Sequence, residues 1–181
     1  MAKLAKMTYG KALLDLAVEQ NLVDALFEEA VAVEKILKDE PDFLLLMTHP
    51  KIPLIEKKGT RDKVFAGKVS GEMLGFLKLL LDKERFQEIM GILHFFIDEV
   101  KDIKGIGVAY VTTAVQLNVV QEKEIEDKLL ATTNYQKMEM HFEVDAELIG
   151  GMIVRIKDRV VDGSVKTKIS DMKKQLMRIQ L

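Results

Sequence analysis

The apolar pattern of this chain first changes period at Lys104-Gly105-Ile106-Gly107. Before that point apolar residues recur at helical spacing; just after it they alternate. A period of 3.6 residues builds helices, and a period of two builds half-buried strands. The three prolines, Pro41, Pro50 and Pro53, fall in the first part and confine its breaks to one window, because proline inside a helix costs ~3 kcal/mol. The pattern predicts an α-helical N-terminal domain over 1–104, a hinge, and a small α/β domain over 105–181.

In the first part, residues 3–19 predict a helix with Leu4, Met7, Leu14 and Val18 on one stripe and Tyr9, Ala12, Leu13 and Leu16 on a second face. Either both faces are bundle core, or one lines a groove for a partner helix. A second helix over 21–38 carries Leu22, Leu26, Val33, Ile36 and Leu37 and ends at Asp39-Glu40-Pro41. Phe43 to Met47 is a short helical piece, Thr48-His49-Pro50 a turn, and a helix resumes at Pro53, a residue suited to a first helical position. Ser70 caps a helix over 71–82, in which Met73, Leu74, Phe76, Leu77, Leu79, Leu80 and Leu81 leave little polar surface. Such a helix must be covered nearly all round, by its own bundle or by a partner. Residues 84–103 have the cleanest period, with Phe86, Ile89, Leu93, Phe96, Val100 and Ile103 in step.

After the change of period, Val108 to Val115 predicts a strand. Asn118 with Gln121 has the spacing of a capping box and opens a helix to Ala131, with Ile125 and Leu129 inward. Met138, Met140, Phe142 and Val144 alternate with Lys137, Glu139, His141 and Glu143, the pattern of a half-buried strand. Gly150-Gly151 at a strand start implies a bulge or a close backbone approach. Two β-rich pieces meet at Lys157-Asp158, and the second stops at Asp162-Gly163. Ser164 is then the N-cap of a last helix, with Ile169, Met172, Leu176 and Ile179 on one stripe. The order β-α-β-β-β-α makes a small mixed sheet with helices against it.

The sequence shows no centre for chemistry. His49, His94 and His141 lie far apart, and the acid pairs Glu28-Glu29, Asp98-Glu99 and Glu124 with Glu126 are expected on solvated outer faces. Gly105-x-Gly107 is not a dinucleotide loop, because position 110 is Tyr and a strand follows rather than a helix. With no cysteine among 181 residues, disulfides and thiolate metal sites are excluded. No catalytic residue, cofactor or metal is expected. No apolar run approaches the ~18 residues that span a bilayer, and Met1-Ala-Lys-Leu-Ala-Lys6 does not read as a secretory signal. A cytoplasmic protein is expected, reaching any membrane through partners. The net charge of −2 gives no global reason for a polyanion partner. The C-terminal stretch is locally basic, through Arg155, Lys157, Arg159, Lys166, Lys168, Lys173, Lys174 and Arg178. Nucleic-acid binding would also want stacking aromatics, and none follows Phe142; an acidic protein partner suits that face at least as well. The residues thus indicate an interaction protein, the alternative to a specific assembly role being an RNA-binding or protein-binding adaptor that uses the basic face.

One run carries a resemblance. An apolar residue, Gly150-Gly151, an apolar strand, a tight turn at Asp158, then Val160-Val161-Asp162-Gly163-Ser164-Val165 and a basic amphipathic helix resemble the C-terminal signature of the delta subunit of bacterial F-type ATP synthases, whose mitochondrial relative is the oligomycin-sensitivity-conferring protein. Tyr9-Gly10-Lys11-Ala12-Leu13 is similar to the N-terminal motif of that family. The chain departs from it at Lys157 and Glu84, where the family often has Gly. The resemblance implies a six-helix N-terminal bundle that binds the N-terminal helical segment of an alpha subunit between its first and fifth helices, here through Tyr9, Leu13 and Leu16 and through Phe76, Leu79 and Leu80. It implies a C-terminal domain that engages the peripheral-stalk b subunits. The whole would be a non-catalytic stator link at the cytoplasmic face of the bacterial plasma membrane, holding the catalytic head against rotor torque, with no nucleic acid bound and no direct membrane insertion.

Overall fold

The computed structural model of the chain describes residues 2–179, with side chains over 5–177. Leu4, Arg178 and Ile179, named above, lie outside the described side chains. The chain divides into two compact units, one up to Val100 and one from Lys101. The first is helical and the second is α/β.

The helical unit runs α1 (Ala2–Glu19), α2 (Val23–Asp39), α3 (Pro41–Thr48), α4 (Leu54–Phe65), α5 (Gly71–Asp82), a 3-10 turn at Phe86–Glu88, and α6 (Ile89–Ile103), whose last turn belongs to the second unit. Its core takes Leu26, Ala30, Val33 and Leu37 from one stripe of α2, Met73, Phe76, Leu77, Leu80 and Leu81 from α5, and Ile89, Ile92, Leu93, Phe96, Ile97 and Val100 from α6. Helix α1 contributes Leu13 and Ala17. It approaches α6 closely at Gly10, where a Cβ would collide with the ring of Phe95; this is the physical reason for a small residue after Tyr9.

Three helices end in the same way. The chain after α1 and after α5 turns through a left-handed residue, Asn21 (φ 56°) and Glu84 (φ 55°), and Gly105 (φ 68°) does so after α6. After α5, the Arg85 amide donates to the Leu80 carbonyl at 2.8 Å and the Glu84 amide to that of Leu81 at 3.1 Å. That pair of bonds is the Schellman closure, which usually places glycine at the left-handed position. Ser70 caps α5, its hydroxyl accepting from the Met73 amide at 3.2 Å. Glu29 of α2 departs from the solvated face expected for it. Its carboxylate accepts from the Ser70 amide at 3.0 Å and the Ser70 hydroxyl at 2.8 Å, so it ties α2 to the start of α5.

The second unit runs β1 (Ile106–Thr113), α7 (Val119–Thr132), β2 (Lys137–Val144), a 3-10 turn at Ala146–Leu148, β3 (Met152–Ile156), β4 (Arg159–Asp162) and α8 (Val165–Ile179). The sheet order is β2-β1-β3-β4. The β1–β2 pair is parallel and the β1–β3 and β3–β4 pairs are antiparallel, so the sheet is mixed, as the β-α-β-β-β-α order predicts. The Asn118–Gln121 capping box is present in both directions. Directly paired residues share a face. One face therefore carries Ala109 and Val111 with Met140, Phe142, Val154, Ile156 and Val161, and Ala109 and Val111 are its buried centre. The opposite face is mixed, with Val108, Ile153 and Val160 beside polar residues; on it Tyr110 stacks on His141 with ring centroids 4.9 Å apart, and the Arg155 guanidinium lies 4.8 Å from the centre of the Tyr110 ring.

Candidate partner-binding surfaces

The six residues named for an N-terminal groove take different places. Leu13, Phe76 and Leu80 are buried in the helical core, Tyr9 and Leu16 are partly covered, and Leu79 is 41% exposed. Helix α5 is thus largely covered by the protein's own helices, with Leu79 left outward. On α1, the stripe with open surface is that of Met7 and Val18. An apolar helix can use either of two faces for its core, and here the close approach of Gly10 to Phe95 turns Leu13 and Ala17 inward. His94 is a rim residue of α6, half exposed beside Glu34 and Asp98.

In the second unit the run from Gly150 to Ser164 builds a joint between β3 and α8. The Gly163 amide donates to the Met152 carbonyl at 2.9 Å, and the Val165 amide to the Gly150 carbonyl at 2.9 Å. Gly151 sits at φ 78°, and a Cβ there would collide with the Gly163 carbonyl oxygen. The paired glycines thus serve close backbone approach, and the β3–β4 register runs without a bulge. Ser164 is buried and caps α8, accepting from the Thr167 amide at 3.2 Å. Asp162 accepts from the Ser164 amide at 2.8 Å and from the Thr167 hydroxyl at 2.7 Å; these bonds, the Ser164 amide first, hold its carboxyl below the usual range. Asp158 and Val161 stand apart from the joint, in the hairpin turn and on β4. The turn itself is Lys157-Asp158, with Lys157 at φ 51°. Its ammonium lies 2.7 Å from the Asp102 carboxylate, so the lysine adopts the conformation for which glycine is favoured and gains an ion pair there.

Two surfaces of this unit stay open. Helix α7 and the β3–β4 hairpin flank a cleft lined by Leu129, Val154, Ile156 and Val161, with Thr132, Tyr135 and Arg159 among its polar members. The apolar stripe of α8, with Ile169, Met172 and Leu176, lies exposed beyond the joint. The stripe is legible in the sequence; its lack of cover is not, because only the folded unit shows that Leu148, and not the stripe, is buried. Among the described residues, no group of three or more His, Asp or Glu is placed to hold a metal ion, and no helix is long and apolar enough to cross a membrane.

The fold and these surfaces define a class: a two-unit protein, helical then α/β, with a cleft beside the β3–β4 hairpin and an exposed apolar stripe on α8. The model of the ATP synthase delta (OSCP) subunit family matches residues 5–176. An ATP synthase subunit delta of Lachnoclostridium phytofermentans is 45% identical over 181 residues, the full length of both chains. That of Desulforamulus reducens is 35% identical, covering 93% of each. A chain in the cryo-EM structure of the Toxoplasma gondii mitochondrial ATP synthase hexamer is similar in fold, with a TM-score of 0.81 at 17% identity, covering 95% of this chain and 97% of that one. The chain belongs to the ATP synthase delta (OSCP) subunit family.

Proposed function

We propose that this chain is the stator link of an F-type ATP synthase. In this reading it does no chemistry. A six-helix bundle over 1–104 holds the N-terminal helical segment of an alpha subunit, and the domain over 105–181 holds the C-terminal ends of the peripheral-stalk b subunits. The catalytic head is thereby kept still against rotor torque while an ion gradient drives ATP synthesis. The complex places the subunit at the cytoplasmic face of the bacterial plasma membrane. The observation that carries this reading is the full-length similarity to an ATP synthase subunit delta.

For the alpha segment, the contact surface is the part of the named set that is not core. Leu79 supplies an exposed anchor and Tyr9 and Leu16 partly exposed ones, while Leu13, Phe76 and Leu80 support them from below. An amphipathic helix in an apolar groove has suitable physics. Each well-buried apolar anchor yields ~1.5–3 kcal/mol, association costs ~4–15 kcal/mol, and nanomolar binding needs about 12 kcal/mol net. Several anchors are therefore required, and one substitution weakens binding without abolishing it. The test is calorimetric titration of the full chain with a synthetic peptide of the alpha subunit's N-terminal segment from the same organism. Saturable one-to-one binding is expected, weakened about tenfold or more by Tyr9→Ala or Leu79→Ala with helical content unchanged. No binding by the folded chain would overturn the reading.

A further inference from the structure

We propose that the cleft between α7 and the β3–β4 hairpin binds a small amphipathic carboxylate, an acid whose apolar body lies on the sheet and whose head meets Arg159. Helix α7 lies against β2 and leaves the β3–β4 half of the apolar sheet face open. Val154, Ile156 and Val161 form the floor there, and Leu129 of α7 forms a wall. Val161 is 68% exposed. The cleft measures about 880 Å³, within the ~300–1,000 Å³ of small-molecule sites.

Charge and shape choose the ligand. Arg159 pairs with Ile156 across the hairpin and so is the one charged residue on the apolar face of the sheet. Its guanidinium has no hydrogen bond or ion pair among the described residues. Two acids also line the cleft. Asp102 is taken by the Lys157 ammonium at 2.7 Å and the Tyr135 hydroxyl at 3.1 Å, and Asp158 lies in the hairpin turn, off the sheet face. A planar guanidinium beside an apolar floor suits a carboxylate, which it can grip through two parallel bonds. The Tyr135–Asp102–Lys157 chain runs from the end of α7 to the hairpin turn and closes one end of the cleft, so a helix cannot pass through it. A second copy of the chain is disfavoured: its exposed apolar stripe on α8 would bring Lys168 and Lys173 toward Arg159, a juxtaposition of like charges. An amphipathic acid satisfies both the open floor and the unpaired cation.

Nothing in this site depends on the stator reading, so the test uses the full chain alone. It is titrated with octanoate and with octanol, below the concentrations at which either aggregates, and followed by backbone amide NMR shifts. Octanoate is expected to bind one-to-one and saturably, with the largest shifts at Leu129, Val154, Ile156 and Val161. Octanol keeps the apolar body and lacks the charge; it should bind about tenfold or more weakly, and the Arg159→Gln variant should lose octanoate by a similar factor. Arg159 is exposed, so its replacement leaves the fold intact, which the amide shifts of the unliganded variant check. Val161→Glu sets a like charge on the floor and should abolish octanoate binding. Equal affinity for octanoate and octanol, or equal affinity of the parent and Arg159→Gln for octanoate, would overturn the carboxylate site. So would shifts that never saturate, that spread over the whole chain or that centre on Ile169 and Met172 of α8, and so would an absence of binding by the folded chain.

Discussion

Gly151 and Gly163 meet backbone to backbone: a Cβ on Gly151 would collide with the carbonyl oxygen of Gly163. The obstacle is main chain, tied by the Gly163–Met152 hydrogen bond, so it cannot rotate away. Gly151 is also at φ 78°, where any other residue is strained. Gly151→Ala should therefore destabilise the α/β unit by more than about 2 kcal/mol. Gly150→Ala places its methyl 3.1 Å from a Val165 methyl, a side chain that can shift, and should cost much less. Urea unfolding of the two variants checks this; equal losses would mean that the joint is not held by backbone approach.

The opposite substitution should stabilise the chain where a side chain sits in a left-handed conformation without a compensating bond. Glu84 closes α5 at φ 55°, with no hydrogen bond or ion pair from its carboxylate among the described residues. Ile149 is β-branched, exposed, and at φ 66°. Replacing either by glycine removes strain of ~1–2 kcal/mol and adds ~0.5–1 kcal/mol of backbone entropy to be lost on folding. A net gain of a few tenths to about 1 kcal/mol is expected for Glu84→Gly. Lys157→Gly should gain less, since it also removes the ion pair to Asp102. Thermal midpoints of the three variants order the effects; a lower midpoint for Glu84→Gly would refute the argument.

Leu79 and Leu80 are neighbours with opposite duties. Leu80 is fully buried and Leu79 is not. Leu80→Ala should cost ~2–5 kcal/mol in folding, the range for a buried leucine, while Leu79→Ala should stay within ~0.5 kcal/mol of the parent. Denaturant midpoints check this. Comparable losses would mean that Leu79 is core and unavailable to a partner.

These pairs show what a linear reading can and cannot contain. The order of elements is legible because it is written in local periods: the alternation of Met138, Met140 and Phe142, or the three-residue step from Asn118 to Gln121. The facing of α1 is not, since Tyr9-Leu13-Leu16 and Met7-Leu14-Val18 are both apolar, and only the packing of Phe95 on Gly10 decides between them. The role of Glu29 is hidden for a related reason: its partner Ser70 is 41 residues away, and adjacent glutamates otherwise read as a solvated face. Lys157 and Glu84 stand where glycine is expected, and the departure looks like a threat to the turn. The surrounding hydrogen bonds impose the same backbone and the residue tolerates it. On α8 the stripe is readable, but exposure belongs to the folded unit and not to the sequence.

Acid should loosen the α/β unit before it reaches the helical core. Asp102 accepts from the Lys157 ammonium at 2.7 Å and the Tyr135 hydroxyl at 3.1 Å, and chiefly the lysine holds its carboxyl low. For Glu139, burial pushes the carboxyl up, but the hydrogen bond and charge of Lys101, helped by His141, outweigh it and leave it low. Asp162 is low through the amide and hydroxyl of Ser164 and the hydroxyl of Thr167. A carboxyl whose folded pKa is depressed stabilises the fold above its unfolded value, about 3.9 for Asp and 4.3 for Glu. That contribution disappears as pH falls through the folded value. All three groups lie in the second unit and so act in the same direction. Protection of the β1–β4 amides, measured against the intrinsic exchange rate at each pH, should therefore fall below about pH 4, ahead of protection in α2. The triple variant Asp102→Asn/Glu139→Gln/Asp162→Asn should exchange faster than the parent at pH 7 and show a shallower dependence on acid. If it follows the parent's pH profile, the three carboxylates are not what ties the last turn of α6 and the α8 joint to the sheet.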